Sequence, residues 1–327
     1  MNEPLLDIRD LYVWYRVYGG YLKVLDGVNL HVYQGEKVGL VGEAGCGKTT
    51  TMRSVLQILP EGQFHIPGGR ILYRGKNILT ASARELHQIR TKGISMIFQE
   101  PTAALNPVFT IGTQMFDVIR YSGLRKEERS RNNLKKMAAR AIREACNPDP
   151  ERILTCYPHQ LSGGMKQRVC IAMAIVTARE LLIADEPGTA LDVTIQDQVH
   201  RLLRGLVDQK GMSLIMITHS LGVAREMTDR IYVMYAGTIV EVAKTEDLFN
   251  RPLHPYTLGL LESVPKLTGA GMSHGIYGHL PDYFRPNSGC RFYPRCPRVL
   301  DRCRTEKPVP RDLGEGHQVA CFQVGGN

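Results

Sequence analysis

Residues 42–49 read Gly-Glu-Ala-Gly-Cys-Gly-Lys-Thr, which fits the pattern G-x-x-x-x-G-K-[ST]. The apolar run EKVGLVG leads into this segment, and TTTMRSVLQIL follows with helical spacing until Pro60. A strand turning through glycines into a helix is a phosphate cradle. Backbone N–H groups curl around phosphate oxygens, and the helix N-terminus adds partial positive charge. Lys48 is placed to neutralise β- and γ-phosphates, and the Thr49 hydroxyl to ligate Mg²⁺. A second apolar strand, LLIADE (181–186), ends in two carboxylates. Asp185 suits Mg²⁺ and Glu186 suits a general base that polarises an attacking water. SLIMITH (213–219) is a third buried-strand pattern, and residues 112–156 are polar with helical spacing. Strands alternating with helices predict an α/β fold with a largely parallel sheet.

Composition narrows the class. The chain has 327 residues, 43% of them apolar, enough for a core and, at roughly 150 residues per domain, about two domains. Its +9 charge leans towards anionic partners without choosing one. No apolar run approaches the ~18 residues of a membrane span. The start MNEPLLDIRDLYVWYR lacks the apolar stretch of a secretory signal. Secreted, fibrous, disordered and integral-membrane classes are thereby excluded, leaving a cytosolic two-domain protein. The basic stretch 125–140, RKEERSRNNLKKMAAR, reads as a solvated helix face.

Between the two phosphate-related motifs stands Leu161-Ser-Gly-Gly-Met-Lys-Gln-Arg168. With it the chain resembles ATP-binding-cassette (ABC) ATPases. The resemblance implies a P-loop NTPase nucleotide-binding domain over 1–250 with a helical subdomain at about 100–175. It also implies two nucleotides sandwiched head to tail between two ATPase subunits. Ser162, Gly163, Gly164, Met165 and Gln167 would then face the γ-phosphate held by the opposite subunit. Gly42, Gly45, Cys46, Gly47, Lys48, Thr49 and Thr50 would bind the nucleotide of this one. Gln99, in MIFQEP, matches the glutamine that senses Mg²⁺ and water, so Thr49, Gln99 and Asp185 form the expected Mg²⁺ set. Leu191-Asp192 matches the segment that communicates across the dimer, and His219 the histidine that contacts the γ-phosphate. Tyr15 is expected to stack on adenine, with Trp14 and Tyr18 as rivals. Gly188 stands where relatives usually carry Ser or Thr.

From about residue 250 proline and glycine become dense and clear periodicity disappears, so a small irregular domain without helices is expected over 251–327. Cys290, Cys296, Cys303 and Cys321 follow the spacing C-x5-C-x6-C-x17-C, which lacks the close pairs of usual zinc modules. Four thiolates in such a segment suit Zn²⁺ or an iron–sulfur cluster. RPLHPYTLGLLESVP (251–265) and SGCRFYPRCPRVLDRC resemble the tail of the oligopeptide/dipeptide (peptide/nickel) importer ATPases. That branch implies a [4Fe–4S] cluster at 290–321, with Zn²⁺ as the alternative.

The resemblance implies an ATP-hydrolysing subunit that powers import of di- or oligopeptides at the cytoplasmic face of the membrane. Expected partners are a second, paralogous ATPase in a heterodimer, two transmembrane permeases and an extracytoplasmic solute-binding protein, with no nucleic acid. Nickel chelates or oligosaccharides are alternative cargoes. A soluble cassette ATPase acting on nucleic acid or ribosomes is the rival of another class.

Overall fold

The computed structural model describes residues 3–123, 126–146, 149–177, 179–189, 191–263 and 275–324. Arg125 of the basic stretch, Ala190 after Glu186, and Val264 and Pro265 of the tail motif lie outside the described residues. The chain forms two compact units. One takes its residues from 1–33, 37–80 and 216–327, the other from 34–36 and 81–215.

In the first unit, strands Leu6–Val17 and Gly20–Val32 form an antiparallel hairpin running from Val17 opposite Gly20 to Leu6 opposite Val32. Leu6 and Ile8 are buried, then Leu11 and Val13, so the inward phase changes between them. The cause is a break in register after Ile8, where Asp10 sits at φ 46°. Asn29 clamps the break: the Asp10 N–H donates to Asn29 Oδ1 at 3.0 Å, and Asn29 Nδ2 donates to Asp10 Oδ1 at 3.0 Å. Strand Arg70–Tyr73 pairs with the other side of Leu6–Val17.

Strand Lys37–Val41 runs parallel to Arg230–Tyr235, which continues antiparallel through Thr238–Lys244, Gln318–Val319 and Arg311–Asp312. Val38, Leu40 and Val41 are buried in an unbroken apolar run, as a strand covered on both faces requires. The tail joins this core. Tyr256 and Phe292 pack with Val41, Ile231, Val233 and Tyr235. The Tyr235 ring centroid lies 4.7 Å from that of Tyr256 and 5.0 Å from that of Phe292.

A helix, Pro255–Glu262, opens the tail where none was expected. Pro255 at its first position has the φ a helix needs, and His254 caps it by accepting the Tyr256 N–H at 3.1 Å on Nδ1. His254 is buried, and burial lowers its pKa from 6.5 to about 3. The neutral ring therefore stabilises the fold above pH 6.5, and that stability drains away as pH falls from 6.5 towards 3. The expected loss between pH 8 and pH 5 is about 2 kcal/mol. Urea unfolding of wild type and His254→Asn, which keeps a capping side chain, checks this: the wild type should show the steeper acid loss by one proton.

The second unit is helical around a separate core. Ile111, Met115 and Ile119 repeat every four residues along helix Ile111–Tyr121, and Leu134, Ala138 and Ile142 do so along Arg131–Glu144. These stripes meet Ile153 of helix Pro150–Thr155 and Val169 of helix Gly163–Ile175. Thr110, Ser130, Asp149 and Ser162 cap the four helices through their side-chain oxygens. Strands Ile94–Ile97 and Leu181–Asp185 pair in parallel, and the longer helix Val193–Lys210 follows.

Candidate functional site

Strand Lys37–Val41 ends at Gly42, which sits at φ 156° with its α-carbon pressed against the next strand. A Cβ there would stand 2.2 Å from the Met234 carbonyl oxygen, so only glycine fits. Gly47, in the left-handed conformation, caps helix Lys48–Val55. Lys48 is buried, and its Nζ donates to the carbonyl oxygens of Gly42 at 2.8 Å and Glu43 at 2.9 Å. The ammonium is thus held against the loop by two of its carbonyls, while the Cys46 N–H donates within the loop to the Glu43 carbonyl at 3.3 Å. Cys46 is buried in the loop wall, and burial raises its thiol pKa, which keeps it a neutral packing group.

The register break at Asp10 bears on the adenine partner. Tyr15 Oη lies 3.4 Å from Thr50 Oγ1, so this half-buried ring is turned towards the helix after the loop. Trp14, one residue earlier, takes the opposite face and packs against Tyr21 and His65 with centroids 6.1 and 6.0 Å away. Tyr18 is wholly exposed near the hairpin end. His219 follows strand Ser213–Thr218 and is exposed, just before helix Leu221–Met227.

In the second unit, Asp185 closes its strand fully within the interior, and Glu186 follows with φ 46°. A left-handed non-glycine residue stores backbone strain, as residues at active sites often do. Gln99 Nε2 donates to Glu186 Oε2 at 3.2 Å, and Thr189 Oγ1 to the same oxygen at 3.3 Å. The two partners fix the carboxylate direction. Gly188 has φ 118°, which suits the residue that departs from the pattern of relatives.

Ser162 and Gly163 are exposed, with Gly164 and Met165 half-buried behind them. The Ser162 side chain accepts the Met165 N–H at 3.3 Å. Gln167 is different: it is fully buried and its amide has no hydrogen-bond partner among the described residues. Gly163 and Gly164 run close against Leu191 and Ile195, and Asp192 caps helix Val193–Lys210 by accepting the Ile195 N–H at 3.0 Å. The structure thus brings together Gln99 with Glu186, the Ser162 segment with Leu191, and Tyr15 with Thr50.

The sequence model of the ABC transporter family matches residues 25–189, and that of the oligopeptide/dipeptide transporter C-terminal region matches 240–303. A probable peptide ABC transporter ATP-binding protein of Sinorhizobium fredii is 44% identical over 98% of this chain and 95% of its own length. This chain belongs to the ABC transporter ATP-binding proteins. The dipeptide transport ATP-binding protein DppD of Bacillus subtilis is 41% identical over 98% of this chain and 95% of that one. The ATP-binding cassette MJ0796, solved as a post-hydrolysis dimer bound to ADP and Pi, aligns at a TM-score of 0.63 and 26% identity. That alignment covers 73% of this chain and 98% of that one. The chain is accordingly an ATPase of the cassette fold, with ATP and Mg²⁺ as the substrate and ion of its family. No helix among the described residues is long and apolar enough to cross a membrane.

The cassette's four tail cysteines carry free thiols. The Cys290 N–H donates to the Cys303 carbonyl at 2.9 Å. Burial, then the neighbouring Cys303, Cys296 and Cys321, push the Cys290 thiol up to about 11, so the four groups share one electrostatic neighbourhood. Among the described residues, however, no group of three or more His, Cys, Asp or Glu is placed to hold a metal ion. That finding bears on the iron–sulfur expectation and on its Zn²⁺ alternative alike.

Sequence reasoning passed over Glu43. Its N–H donates to Tyr256 Oη at 2.9 Å, so the His254-Pro255-Tyr256 signature of the tail touches the phosphate loop directly. The only signal in the sequence was the motif's recognisability, which says nothing of its contact.

Proposed function

We propose that this chain is the ATP-hydrolysing subunit of an importer of di- and oligopeptides, acting at the cytoplasmic face of the cell membrane. One observation carries the cargo: the oligopeptide/dipeptide tail region matches alongside the cassette, in a chain similar end to end to proteins named for peptide and dipeptide transport. Two transmembrane permeases, a solute-binding protein outside and a second, paralogous ATPase complete the assembly.

Within it the loop glycines Gly42, Gly45 and Gly47, with Cys46 and Thr50, present amides to phosphate, and Lys48 neutralises the β- and γ-oxygens. Thr49, Gln99 and Asp185 supply oxygens for Mg²⁺, which when bound offsets charge on the phosphates. Glu186 takes the proton of the attacking water, and Gln99 and Thr189 hold it in place. Tyr15 stacks on adenine; its orientation towards Thr50 supports it over Trp14. His219 contacts the γ-phosphate. Ser162 and Gly163, exposed at a capped helix start, and the half-buried Gly164 face the nucleotide of the second ATPase, with Leu191 and Asp192 alongside.

The small tail domain over 251–327 carries the cysteine centre. The Cys290 thiol lies in the field of Cys303, Cys296 and Cys321, and four thiolates in one loop-rich segment are the ligand set of an iron–sulfur cluster. Cys290, Cys296, Cys303 and Cys321 would hold it, and the group would add folding free energy to a segment poor in regular structure.

Gentle anaerobic solubilisation of membranes containing the tagged chain tests both readings. The expected companions are two permeases and a second cassette ATPase, and the expected content is four iron and four acid-labile sulfide per chain. Recovery with ribosomes or nucleic acid overturns the transport reading. Zinc, or no iron, overturns the cluster.

A further inference from the structure

The tail does more than pack beside the phosphate loop. Three of its side chains hold residues 43–45. The Glu43 N–H donates to Tyr256 Oη at 2.9 Å. Tyr283 Oη donates to the Gly45 carbonyl at 2.9 Å, and Arg295 Nη1 donates to Glu43 Oε2 at 2.9 Å. The Arg295 guanidinium is itself fixed, since its Nε donates to the Tyr277 carbonyl at 2.9 Å and its Nη2 to the Ile276 carbonyl at 3.0 Å. The Tyr256 ring is locked in the core against Tyr235 and Phe292.

A glycine-rich loop is costly to order, because its residues lose more backbone freedom than any others. Within this loop Lys48 also spans the Gly42 and Glu43 carbonyls. A lysine that turns to a phosphate gives those carbonyls up, while the tail's three bonds do not depend on it. The loop therefore keeps its shape at the moment its own lysine is diverted to the nucleotide.

We propose that Tyr256, Tyr283 and Arg295 are positioning residues which hold the phosphate loop ready for ATP, so that the C-terminal tail sets nucleotide affinity. This rests on the reading of residues 42–49 as the ATP phosphate site. The side chains act through Glu43 and Gly45 and not on the reacting atoms, so their loss weakens binding and leaves the chemical step at saturating ATP largely intact.

The test is equilibrium binding of Mg-AMP-PNP to the full chain, with KM and kcat for ATP in the assembled transporter. Tyr283→Phe, which removes one hydroxyl and little else, should raise Kd and KM about three- to tenfold, with kcat changed by less than about twofold. Arg295→Gln should lose about tenfold or more, and Arg295→Lys should recover part of it. Glu43→Gln combined with Arg295→Gln should be no worse than the weaker-binding single variant, because the two residues act as a pair. Wild-type affinity in both Tyr283→Phe and Arg295→Gln overturns the proposal, as do losses that multiply in the double variant. If Arg295→Gln does not fold, Tyr283→Phe decides alone. A wild-type chain that fails to bind Mg-AMP-PNP overturns instead the reading of the loop itself.

Discussion

Glu186→Gln is expected to cut ATP turnover at least ~100-fold while the protein keeps its ATP. Glutamine preserves the length and shape of the side chain and leaves an oxygen to accept from Gln99 Nε2, now 3.2 Å away, and from Thr189 Oγ1 at 3.3 Å. It also tolerates the backbone at φ 46° as well as glutamate does, so the strained turn after Leu181–Asp185 stays as it is. What disappears is the negative charge that draws a proton from water. Nothing in the phosphate loop changes, so binding through Lys48 and the loop amides should persist, and trapped ATP should favour the closed dimer. Phosphate release and the nucleotide retained after gel filtration, measured on the same sample, check both halves. Turnover equal to wild type takes the base role from Glu186.

The cassette fold and the phosphate-loop motif were legible because they are local. The loop 42–49 declares itself through three glycines and a lysine, and the structure shows why, since Gly42 has no room for a side chain beside Met234. Ser162 was readable for the same reason, since it lies at the start of a helix and caps it within four residues, whereas Asp192 came from resemblance alone and its capping of helix Val193–Lys210 is seen only in the structure. The strands Leu181–Asp185 and Ser213–Thr218 stood out as unbroken apolar runs. Long-range facts were not readable. Which way Trp14 and Tyr15 face depends on the phase change at Asp10, held by Asn29 across the hairpin, and on two further register shifts between Leu11 and Trp14. Gln167 sits within the family's motif, yet its side chain is interior, because helical periodicity five residues past the cap turns it to the core. The helix Pro255–Glu262 was hidden by its own starting proline, a residue that breaks helices everywhere except their first turn. Glu43, Tyr256, Tyr283 and Arg295 meet only through the folding of the tail onto the Arg230–Tyr235 strand, separations that no local pattern encodes.

That folding hinges on one buried carboxylate, and Glu241→Ala should be the most damaging change in the tail's framework. The Glu241 side chain is wholly inaccessible and accepts three hydrogen bonds: from the Leu253 N–H at 2.8 Å, the His254 N–H at 2.9 Å and His317 Nε2 at 2.8 Å. Alanine leaves two peptide donors and an imidazole nitrogen without partners in a dry interior, beside a cavity the carboxylate used to fill. The expected loss is about 3–5 kcal/mol, seen as a lower urea midpoint. Glu241→Gln keeps one acceptor oxygen and should lose less; His317→Ala should fall near it, since the two peptide donors stay satisfied. An alanine variant as stable as wild type would show that the tail is held by its aromatic packing alone. The two peptide donors belong to the entry of helix Pro255–Glu262, whose Tyr256 grips Glu43. Well below its unfolding temperature, then, the Glu241→Ala chain should also bind ATP more weakly, although Glu241 itself touches no part of the loop. Loss of affinity without loss of stability would point to a path other than this helix, whereas the two falling together ties the carboxylate, the helix entry and the phosphate loop into one mechanical unit.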